Sequence, residues 1–176
     1  MKVNKCGLSD VLILEPKIYS DDRGSFKETY NRKLYAKYGI NLDMVQDNFS
    51  VSSAGVLRGL HFQKTRPQGK LVWCSYGEVY DVIVDIKPSS PTYKKYIGIY
   101  LSDRNNIQIW IPPGYAHGFC VTSPYACFQY KCTEFYEPSD EAGIRWNDTT
   151  LDIKWPDQHP KIISNKDQNL PFLEEI

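Results

Sequence analysis

The sequence has no excess of charge of either sign, because 21 Lys and Arg residues balance 21 Asp and Glu residues. This balance argues against a protein that binds nucleic acid or a membrane surface through bulk charge. It still allows a local basic pocket for one phosphorylated ligand. The chain also lacks an apolar run of membrane-spanning length and an N-terminal signal core. We therefore expect no nucleic-acid partner, no membrane partner and a cytoplasmic location.

Cysteine pairs of the kind that bind zinc are absent, since no Cys-x-x-Cys occurs. The five cysteines are an odd number, which does not suggest a disulfide framework. They are Cys6, Cys74, Cys120, Cys127 and Cys132. We expect reduced, mostly buried thiols, as is usual in a cytoplasmic protein.

The usual nucleotide-binding loops are missing as well. Neither Gly-x-x-x-x-Gly-Lys-Ser/Thr nor Gly-x-Gly-x-x-Gly is present, which disfavours phosphoryl transfer and hydride transfer. A Gly-x-Ser-x-Gly elbow is also absent. The three histidines form no His-x-His or His-x-x-x-His pair, so a histidine metal site is disfavoured without being excluded. Proton chemistry without metal or cofactor, or simple binding, remains.

Strand signals dominate what is present. Thirteen Tyr, 7 Phe and 4 Trp, with many β-branched residues, suit pleated and half-buried surfaces. Apolar or alternating segments bounded by Gly, Pro, Ser and Asn predict strands at 56–63, 71–76, 78–86, 96–101, 107–111, 118–122 and 126–133. Many short strands at this spacing predict an all-β sandwich or barrel, and 176 residues suit one domain, 1–176.

The non-strand parts are few. Asn31 has the features of a helix cap, so a short N-terminal helix is predicted over 32–38, with Gly39 ending it. A shorter apolar run at 11–14 precedes this helix. Alternation at 107–111 places three isoleucines on one face of a strand. The proline-rich last quarter predicts a looser, partly helical tail.

Two of the three histidines stand where they could carry chemistry. His61 lies in an otherwise apolar strand, where a hydrogen-bonded core histidine is the ordinary alternative. His117 follows a Pro-Pro-Gly turn and can equally be a structural histidine at a strand start. Histidine titrates near neutral pH and is a good base when a carboxylate orients its ring. Spacing alone does not choose that carboxylate.

Several motifs occur together and in order. They are residues 57–63 (Leu-Arg-Gly-Leu-His-Phe-Gln), 68–72 (Gln-Gly-Lys-Leu-Val), 77–82 (Gly-Glu-Val-Tyr-Asp-Val), 111–119 (Ile-Pro-Pro-Gly-Tyr-Ala-His-Gly-Phe) and 144–148 (Ile-Arg-Trp-Asn-Asp), with 45–48 and 163–167 also fitting. This series, from about residue 10 to residue 167, resembles the dTDP-4-dehydrorhamnose 3,5-epimerases. The resemblance implies a cupin-like jelly-roll β-barrel of the dTDP-L-rhamnose pathway that acts on dTDP-4-dehydro-6-deoxy-D-glucose. It implies no cofactor and no metal.

The resemblance also implies catalytic roles. The reaction inverts two carbons beside the C4 ketone, and each inversion needs a base on one face of the sugar and an acid on the other. His61 corresponds to the base, and Asp167 corresponds to the carboxylate that holds its imidazole. Tyr130 corresponds to the acid on the opposite face. Lys70 corresponds to a cation that stabilises the enolate oxygen.

Substrate contacts are implied for a larger set of polar residues, namely Arg23, Glu28, Gln46, Asn48, Arg58, His117, Glu141 and Lys166. Arg58 raises a geometric difficulty, because strict strand alternation places it on the face opposite His61. A bulge or kink at Gly59 would bring both side chains to one face. Otherwise Arg58 faces a neighbouring subunit or an outer loop.

Alternatives to the 3,5-epimerase remain open at this stage. The chain could epimerise another nucleotide-activated 4-ketosugar, at one centre or at two, or it could be a non-catalytic cupin-like sugar-binding module. A metal-dependent cupin oxygenase is a further alternative, disfavoured by the lack of paired histidines. The resemblance also implies a homodimer in which the N-terminal strand crosses to the partner.

Overall fold

The computed structural model describes residues 1–156 and 162–176, and these ranges form two facing β-sheets. In spatial order, the first sheet contains β1 (Lys2–Lys5), β2 (Leu12–Glu15), β10 (Gln108–Ile111), β7 (Lys70–Tyr76), β12 (Tyr125–Cys132) and β5 (Gln46–Ser53). The second contains β13 (Glu141–Gly143), β6 (Leu57–Gln63), β11 (Tyr115–Val121), β8 (Glu78–Asp85) and β9 (Tyr96–Ser102). Neighbouring strands in both sheets run antiparallel. The all-β jelly-roll prediction is confirmed, although within the described ranges no strand belongs to both sheets and the barrel stays open.

One hairpin and three short helical segments complete the described chain. A two-stranded hairpin of β3 (Ile18–Asp21) and β4 (Gly24–Lys27) stands apart from both sheets. The helix α1 (Arg32–Ala36) begins at the predicted cap, where the Asn31 side chain accepts a hydrogen bond from the Leu34 N–H. In the C-terminal tail, α2 (Asn165–Gln168) and a 3₁₀ turn (Leu173–Glu175) form, as the predicted partly helical tail requires. No helix in the described ranges is long and apolar enough to cross a membrane.

The apolar core has three layers. The inner layer lies between the sheets and includes Ile109 and Ile111, with Ile107 packed against it, which confirms the face predicted from alternation. A second layer forms where the C-terminal segment, including Trp155, covers the outer face of the second sheet. A third forms where Tyr35 of α1 covers part of the first sheet. The second and third layers thus cover the outer faces of the two sheets, and one end of the space between the sheets is left for a site.

Most predicted strands are present with shifted ends, and one long strand was not predicted. Residues 46–53 form β5, in which polar residues alternate with exposed apolar ones, so the apolar pattern of a strand is absent there. The helix also ends at Ala36 rather than at Tyr38. The prediction stopped at Gly39, whose φ of +86° marks the true change of chain direction three residues later.

Candidate active site

A cavity of about 680 Å³ opens between the two sheets, and its size is that of a typical small-ligand site. Its walls come from β5, β7 and β12 of the first sheet, β6, β11 and β13 of the second, and α2 of the tail. Its floor includes Phe119 and Phe128, whose stacked rings lie 4.3 Å apart. The apolar floor and polar walls suit a ligand with one apolar face and many hydroxyls.

His61 and Asp167 form a hydrogen-bonded pair in the wall of this cavity. His61 Nε2 lies 2.7 Å from Asp167 Oδ1, and the other carboxylate oxygen accepts the backbone N–H of Gly59 at 3.1 Å. An ionised carboxylate only accepts hydrogen bonds, so His61 Nε2 carries the proton and Nδ1 keeps its lone pair. Among the described residues, Nδ1 has no hydrogen-bond partner. The imidazole is therefore oriented by Asp167 and free to act as a base through Nδ1.

Asp167 is placed by its own short helix. Ser164 caps α2 by accepting the Asp167 N–H at 3.1 Å, and Asp167 is the buried residue of this helix. Burial by itself would raise the pKa of the Asp167 carboxyl. The hydrogen bond from His61, the His61 charge and the Gly59 N–H outweigh burial, so the pKa lies below its usual value. Asp167 therefore stays ionised and keeps its partner protonated at Nε2.

The strand that carries His61 contains the irregularity that the Arg58 problem requires. His117 pairs with His61 but Phe119 pairs with Arg58, so β6 has one more residue than β11 over this stretch. The extra residue lies at Gly59–Leu60, and Gly59 has a φ of +110° that favours glycine. His61 and Arg58 consequently both line the cavity. Of the two possibilities left open by the sequence, the bulge is the one found.

Across the cavity, the first sheet presents polar groups with no partners. Within the described ranges, neither the ammonium group of Lys70 nor the phenol of Tyr130 makes a hydrogen bond, and the buried Ser50 hydroxyl is also unpaired. All three groups line the cavity from the first sheet, so a polar ligand can bind them without breaking an existing hydrogen bond. Tyr130 thus faces the cavity from the sheet opposite to the one that carries His61.

The protonation states of these two side chains follow from their surroundings. Burial lowers the pKa of Lys70, while the nearby Cys132, Asp81 and Glu141 partly counter it. Burial raises the pKa of Tyr130, and Arg58 lowers it in part. At neutral pH the Tyr130 phenol is therefore a neutral proton donor, and nearby groups compensate the charged form of Lys70 only in part.

A second histidine–carboxylate pair lies beside the first. His117 Nε2 is 2.7 Å from Asp81 Oδ2, and both residues are buried. The other Asp81 oxygen has no hydrogen-bond partner among the residues that the structure describes. His117 also stacks on Phe128, at 6.0 Å between ring centroids. His117 therefore lines the cavity, in agreement with one of the two roles that the sequence allowed for it. His159 lies outside the described residues.

Glu141 links three elements at the cavity mouth. Its Oε2 accepts the Tyr136 hydroxyl at 2.5 Å and also the Lys166 ammonium group. Burial would raise the pKa of Glu141, but these two hydrogen bonds and the His61 charge lower it overall. Lys166 and Glu141, both predicted as substrate contacts, are thus paired with each other.

Most of the predicted residues meet in the cavity, and two do not. Gln46 and Asn48 line it from β5, joined by a 3.0 Å side-chain hydrogen bond. Arg23 lies instead at the tip of the β3–β4 hairpin, bonded to Asp21. Glu28 follows the same hairpin and accepts from the Asn31 amide. Neither Arg23 nor Glu28 lines the cavity of its own chain.

Sequence reasoning missed several polar residues of the cavity wall. Among them are Ser50, Gln63, Gln68 and Tyr136. Ser50 could have been found, because it continues the alternation of Gln46 and Asn48 along β5. The other three lie at a strand end or in loops, where no periodicity marks the inner face.

The cavity wall holds two histidines, which are residues that commonly bind metals. In the ranges that the structure describes, no group of three or more His, Cys, Asp and Glu side chains could hold a metal ion. His61 and His117 each engage their own carboxylate. Three of the cysteines, Cys74, Cys120 and Cys132, are buried.

Known proteins resemble this chain along nearly its whole length. The family model described as dTDP-4-dehydrorhamnose 3,5-epimerase matches residues 5–175. A dTDP-4-dehydrorhamnose 3,5-epimerase from Shigella flexneri is 51% identical over 171 residues, covering 96% of this chain and 94% of that protein.

Solved structures show the same fold. A dTDP-6-deoxy-D-glucose-3,5-epimerase from Legionella pneumophila, in complex with dTDP-4-keto-L-rhamnose, has a TM-score of 0.97 and 46% identity, covering 99% of this chain and 94% of its own. A 3'-monoepimerase from Streptomyces bikiniensis in complex with dTDP-quinovose has a TM-score of 0.89 and 29% identity, covering 96% and 86%. By sequence and by fold, this chain belongs to the dTDP-4-dehydrorhamnose 3,5-epimerase family.

Proposed function

We propose that this protein is an isomerase that inverts C3 and C5 of dTDP-4-dehydro-6-deoxy-D-glucose, giving dTDP-4-dehydro-L-rhamnose. Family membership supports the reaction, and the dTDP-sugar in the Legionella pneumophila structure supports a nucleotide-sugar substrate. The observation that carries the proposal is the placement of His61 and Tyr130 on opposite sheets, both facing one cavity. Inversion needs a proton acceptor and a proton donor on opposite faces of the sugar ring, and this pair supplies them.

The first step is removal of a proton from carbon. His61 Nδ1 takes the proton from the carbon beside the ketone, and the electron pair of that C–H bond moves to form the enolate. Asp167, hydrogen-bonded to Nε2 at 2.7 Å, stabilises the imidazolium that results. Because Asp167 also accepts the Gly59 N–H, its carboxylate is fixed before the substrate arrives.

The enolate places negative charge on the former carbonyl oxygen. Lys70 is the cation on the first-sheet wall that has no partner among the described residues, so it can meet this oxygen without breaking an existing bond. A preorganised donor of this kind contributes about 3–4 kcal/mol to the transition state. The ammonium group is attracted more strongly to the enolate than to the neutral ketone, which makes the contact catalytic.

The second step returns a proton from the opposite face. The Tyr130 phenol donates its proton to the enolate carbon, the C=O bond re-forms, and the carbon is inverted. The raised pKa of Tyr130 keeps this donor protonated at neutral pH. Exchange with water then reprotonates the phenolate and removes the proton from His61, which balances the cycle. Every acceptor and donor in this scheme is a side chain, so we propose no cofactor and no metal.

Polar residues around the mouth bind the rest of the nucleotide sugar in this proposal. They are Gln46, Asn48, Arg58, His117 and Lys166, all lining the cavity. Arg58 donates through Nε and Nη2 to Ser52 at 3.2 Å and retains further donors for a phosphate group. A cation of this geometry suits a diphosphate.

We further propose a homodimer in which the β3–β4 hairpin of one subunit completes the cavity of the other. Arg23 and Glu28 lie on or beside this hairpin, outside their own cavity. The hairpin exposes Tyr19 and Phe26, and the outer face of the β5 end of the first sheet exposes Phe49. Strand β5 is also an unpaired edge of its sheet. An exposed apolar surface beside an open edge suits a second copy.

Mixed dimers test this arrangement. Arg23→Ala dimers lack both arms and His61→Asn dimers lack both bases, so each is inactive. If the arm acts on the partner, co-expressed hybrids combine one intact arm with one intact base, and about a quarter of wild-type activity returns. No recovery in verified hybrids contradicts an arm that crosses between subunits.

We also propose a cellular location and a domain organisation for this protein. An odd number of cysteines with no Cys-x-x-Cys pair suits a reducing compartment, so we propose a cytoplasmic location. The two sheets share one inner core layer, so we propose that residues 1–176 act as one domain.

The substrate incubated in deuterium oxide tests the function. NMR is expected to detect deuterium at both C3 and C5, with inversion at each. Epimerisation at C3 alone is the second candidate function, favoured by the fold shared with the Streptomyces bikiniensis 3'-monoepimerase. Label at C3 only selects that candidate, and absence of label with tight substrate binding contradicts both.

A further inference from the structure

We propose that Glu141 is a positioning residue, which braces α2 against β13 and thereby holds Asp167 in line with His61. This inference rests on the proposed function, because it concerns how the His61–Asp167 pair is kept aligned for catalysis. It differs from a direct substrate contact, which is what the sequence resemblance implies for Glu141. Three observations carry it: how α2 is anchored, where Glu141 lies, and which donors it accepts.

The helix that carries Asp167 has little apolar packing of its own, although backbone hydrogen bonds hold the chain on either side of it, from Leu57 N–H to Ile162 and from Arg145 N–H to Pro171. It is four residues long, and Asp167 is its buried residue, whereas Asn165, Lys166 and Gln168 are exposed. A helix without an apolar face gains little from packing. Its position therefore depends on polar links, and the Lys166 side chain provides one of them.

Glu141 lies on the strand beside His61 and accepts a hydrogen bond from the helix that carries Asp167. Strand β13 pairs with β6 so that Glu141 lies opposite Gln63 and Gly143 lies opposite His61. The Lys166 ammonium group, one residue before Asp167, donates to Glu141 Oε2. One carboxylate thus connects the strand beside His61 to the helix of Asp167.

The acceptor is held in turn by a second donor. The Tyr136 hydroxyl, from the loop after β12, donates to the same Oε2 at 2.5 Å. The Glu141 side chain is only 12% exposed, so its hydrogen bonds are poorly screened by water. Two donors on one oxygen of a mostly buried carboxylate limit its rotation, and a fixed acceptor is what a brace requires.

The test is the hydrogen-bonded ring proton of His61, observed by NMR in the free enzyme labelled with ¹⁵N-histidine. The His117–Asp81 pair has the same 2.7 Å separation and no bond to Glu141, so its ring proton is an internal reference. Glu141→Gln is expected to move or broaden the His61 resonance and to leave the His117 resonance unchanged. Tyr136→Phe, which leaves no buried charge unpaired, is expected to give a smaller shift of the same resonance.

Glu174→Gln is the matched control. Glu174 pairs with Lys94 at 2.6 Å on the surface, so this variant removes a lysine–glutamate pair far from the cavity. It is expected to leave both ring protons and the activity unchanged. Kinetically, Glu141→Gln should lower kcat about 10–100-fold with KM changed less than threefold, as expected for a misaligned base.

Two results overturn the brace. One is a His61 resonance that stays in place in folded Glu141→Gln, and the other is equal movement of both histidine resonances. A raised KM with unchanged kcat and an unchanged free-enzyme spectrum assigns Glu141 to substrate binding instead. The spectrum needs no substrate, so failure of the proposed reaction, seen as no deuterium exchange by the wild type, is distinguishable from failure of the brace.

Discussion

Gly59 matters both for the close packing of β6 against β11 and for the position of the Asp167 carboxylate. Its φ is +110°, and a Cβ built on it lies 2.6 Å from Gly118 Cα and 2.7 Å from the His117 carbonyl oxygen. Ordinary contact begins at 3.4 Å, so Gly59→Ala forces β6 and β11 apart by about 0.8 Å (3.4 less 2.6). Backbone strain costs about 1–2 kcal/mol, and overpacking about 1–3 kcal/mol more. The sum is about 2–5 kcal/mol of unfolding free energy.

The activity of Gly59→Ala should fall further than its stability. Gly59 donates its N–H to Asp167, so the same displacement disturbs the carboxylate that orients His61. A misplacement of this size costs about 10²-fold in kcat. Thermal unfolding should show a Tm lower by about 5–15 °C, since 1 kcal/mol corresponds to about 2–4 °C at this chain length.

Gly39→Ala is the control for this prediction. Gly39 has a φ of +86°, but a Cβ there meets nothing within 4 Å. The variant should lose only about 1 kcal/mol from strain and keep its kcat. Gly59→Ala that unfolds within about 2 °C of Gly39→Ala and retains full activity refutes the reasoning from the bulge.

Two further variants separate the roles on the opposite wall. Lys70→Met should lose about 10²–10³-fold in kcat and yet unfold at a higher temperature, because it removes a cation that the cavity compensates poorly. The folded pKa of Lys70 lies below its unfolded value, so this stability gain is full below the folded pKa and fades as pH rises toward the ordinary lysine range. Differential scanning calorimetry at neutral and alkaline pH checks it, and a destabilised Lys70→Met at neutral pH contradicts it. Tyr130→Phe should still incorporate deuterium, because His61 can remove and return a proton on one face, but inversion should fall about 10²-fold or more. Parallel NMR assays of label and product check this, and equal loss of both contradicts a separate acid.

Much of the fold was predictable because its strands carry local signals. The isoleucines of β10 and the cap at Asn31 depend on contacts within a few residues, and both predictions are confirmed. Strand β5 was not predicted because its outward residues, such as Phe49 and Val51, are apolar while its inward ones are polar. This reversal belongs to a strand that lines a polar cavity and has an apolar outer face, and no single-chain pattern distinguishes it from a loop.

The site was only partly predictable for a physical reason. His61 and Asp167 are 106 positions apart, so their 2.7 Å contact depends on how the tail returns to the barrel. The Lys166–Glu141 pair likewise links residues 25 positions apart. Local periodicity predicts neither contact. The resemblance to the family identified Asp167, but not the hydrogen bond that Asp167 accepts from the Gly59 N–H. The bulge that turns Arg58 into the cavity was foreseen as one of two options because strand alternation made it necessary.

The central claim is that the His61 imidazole, held by Asp167, removes the proton from carbon. The most direct measurement is the rate of deuterium entry from solvent into substrate at C3 and C5, compared between wild type, His61→Asn and Asp167→Asn. Label should enter both positions with the wild type, and the rate should fall about 10²–10⁴-fold with His61→Asn although the variant still binds dTDP. Asp167→Asn should fall by a similar factor, because the amide can donate to Nε2 and favours the wrong tautomer. Wild-type rates of exchange in folded His61→Asn would contradict the account.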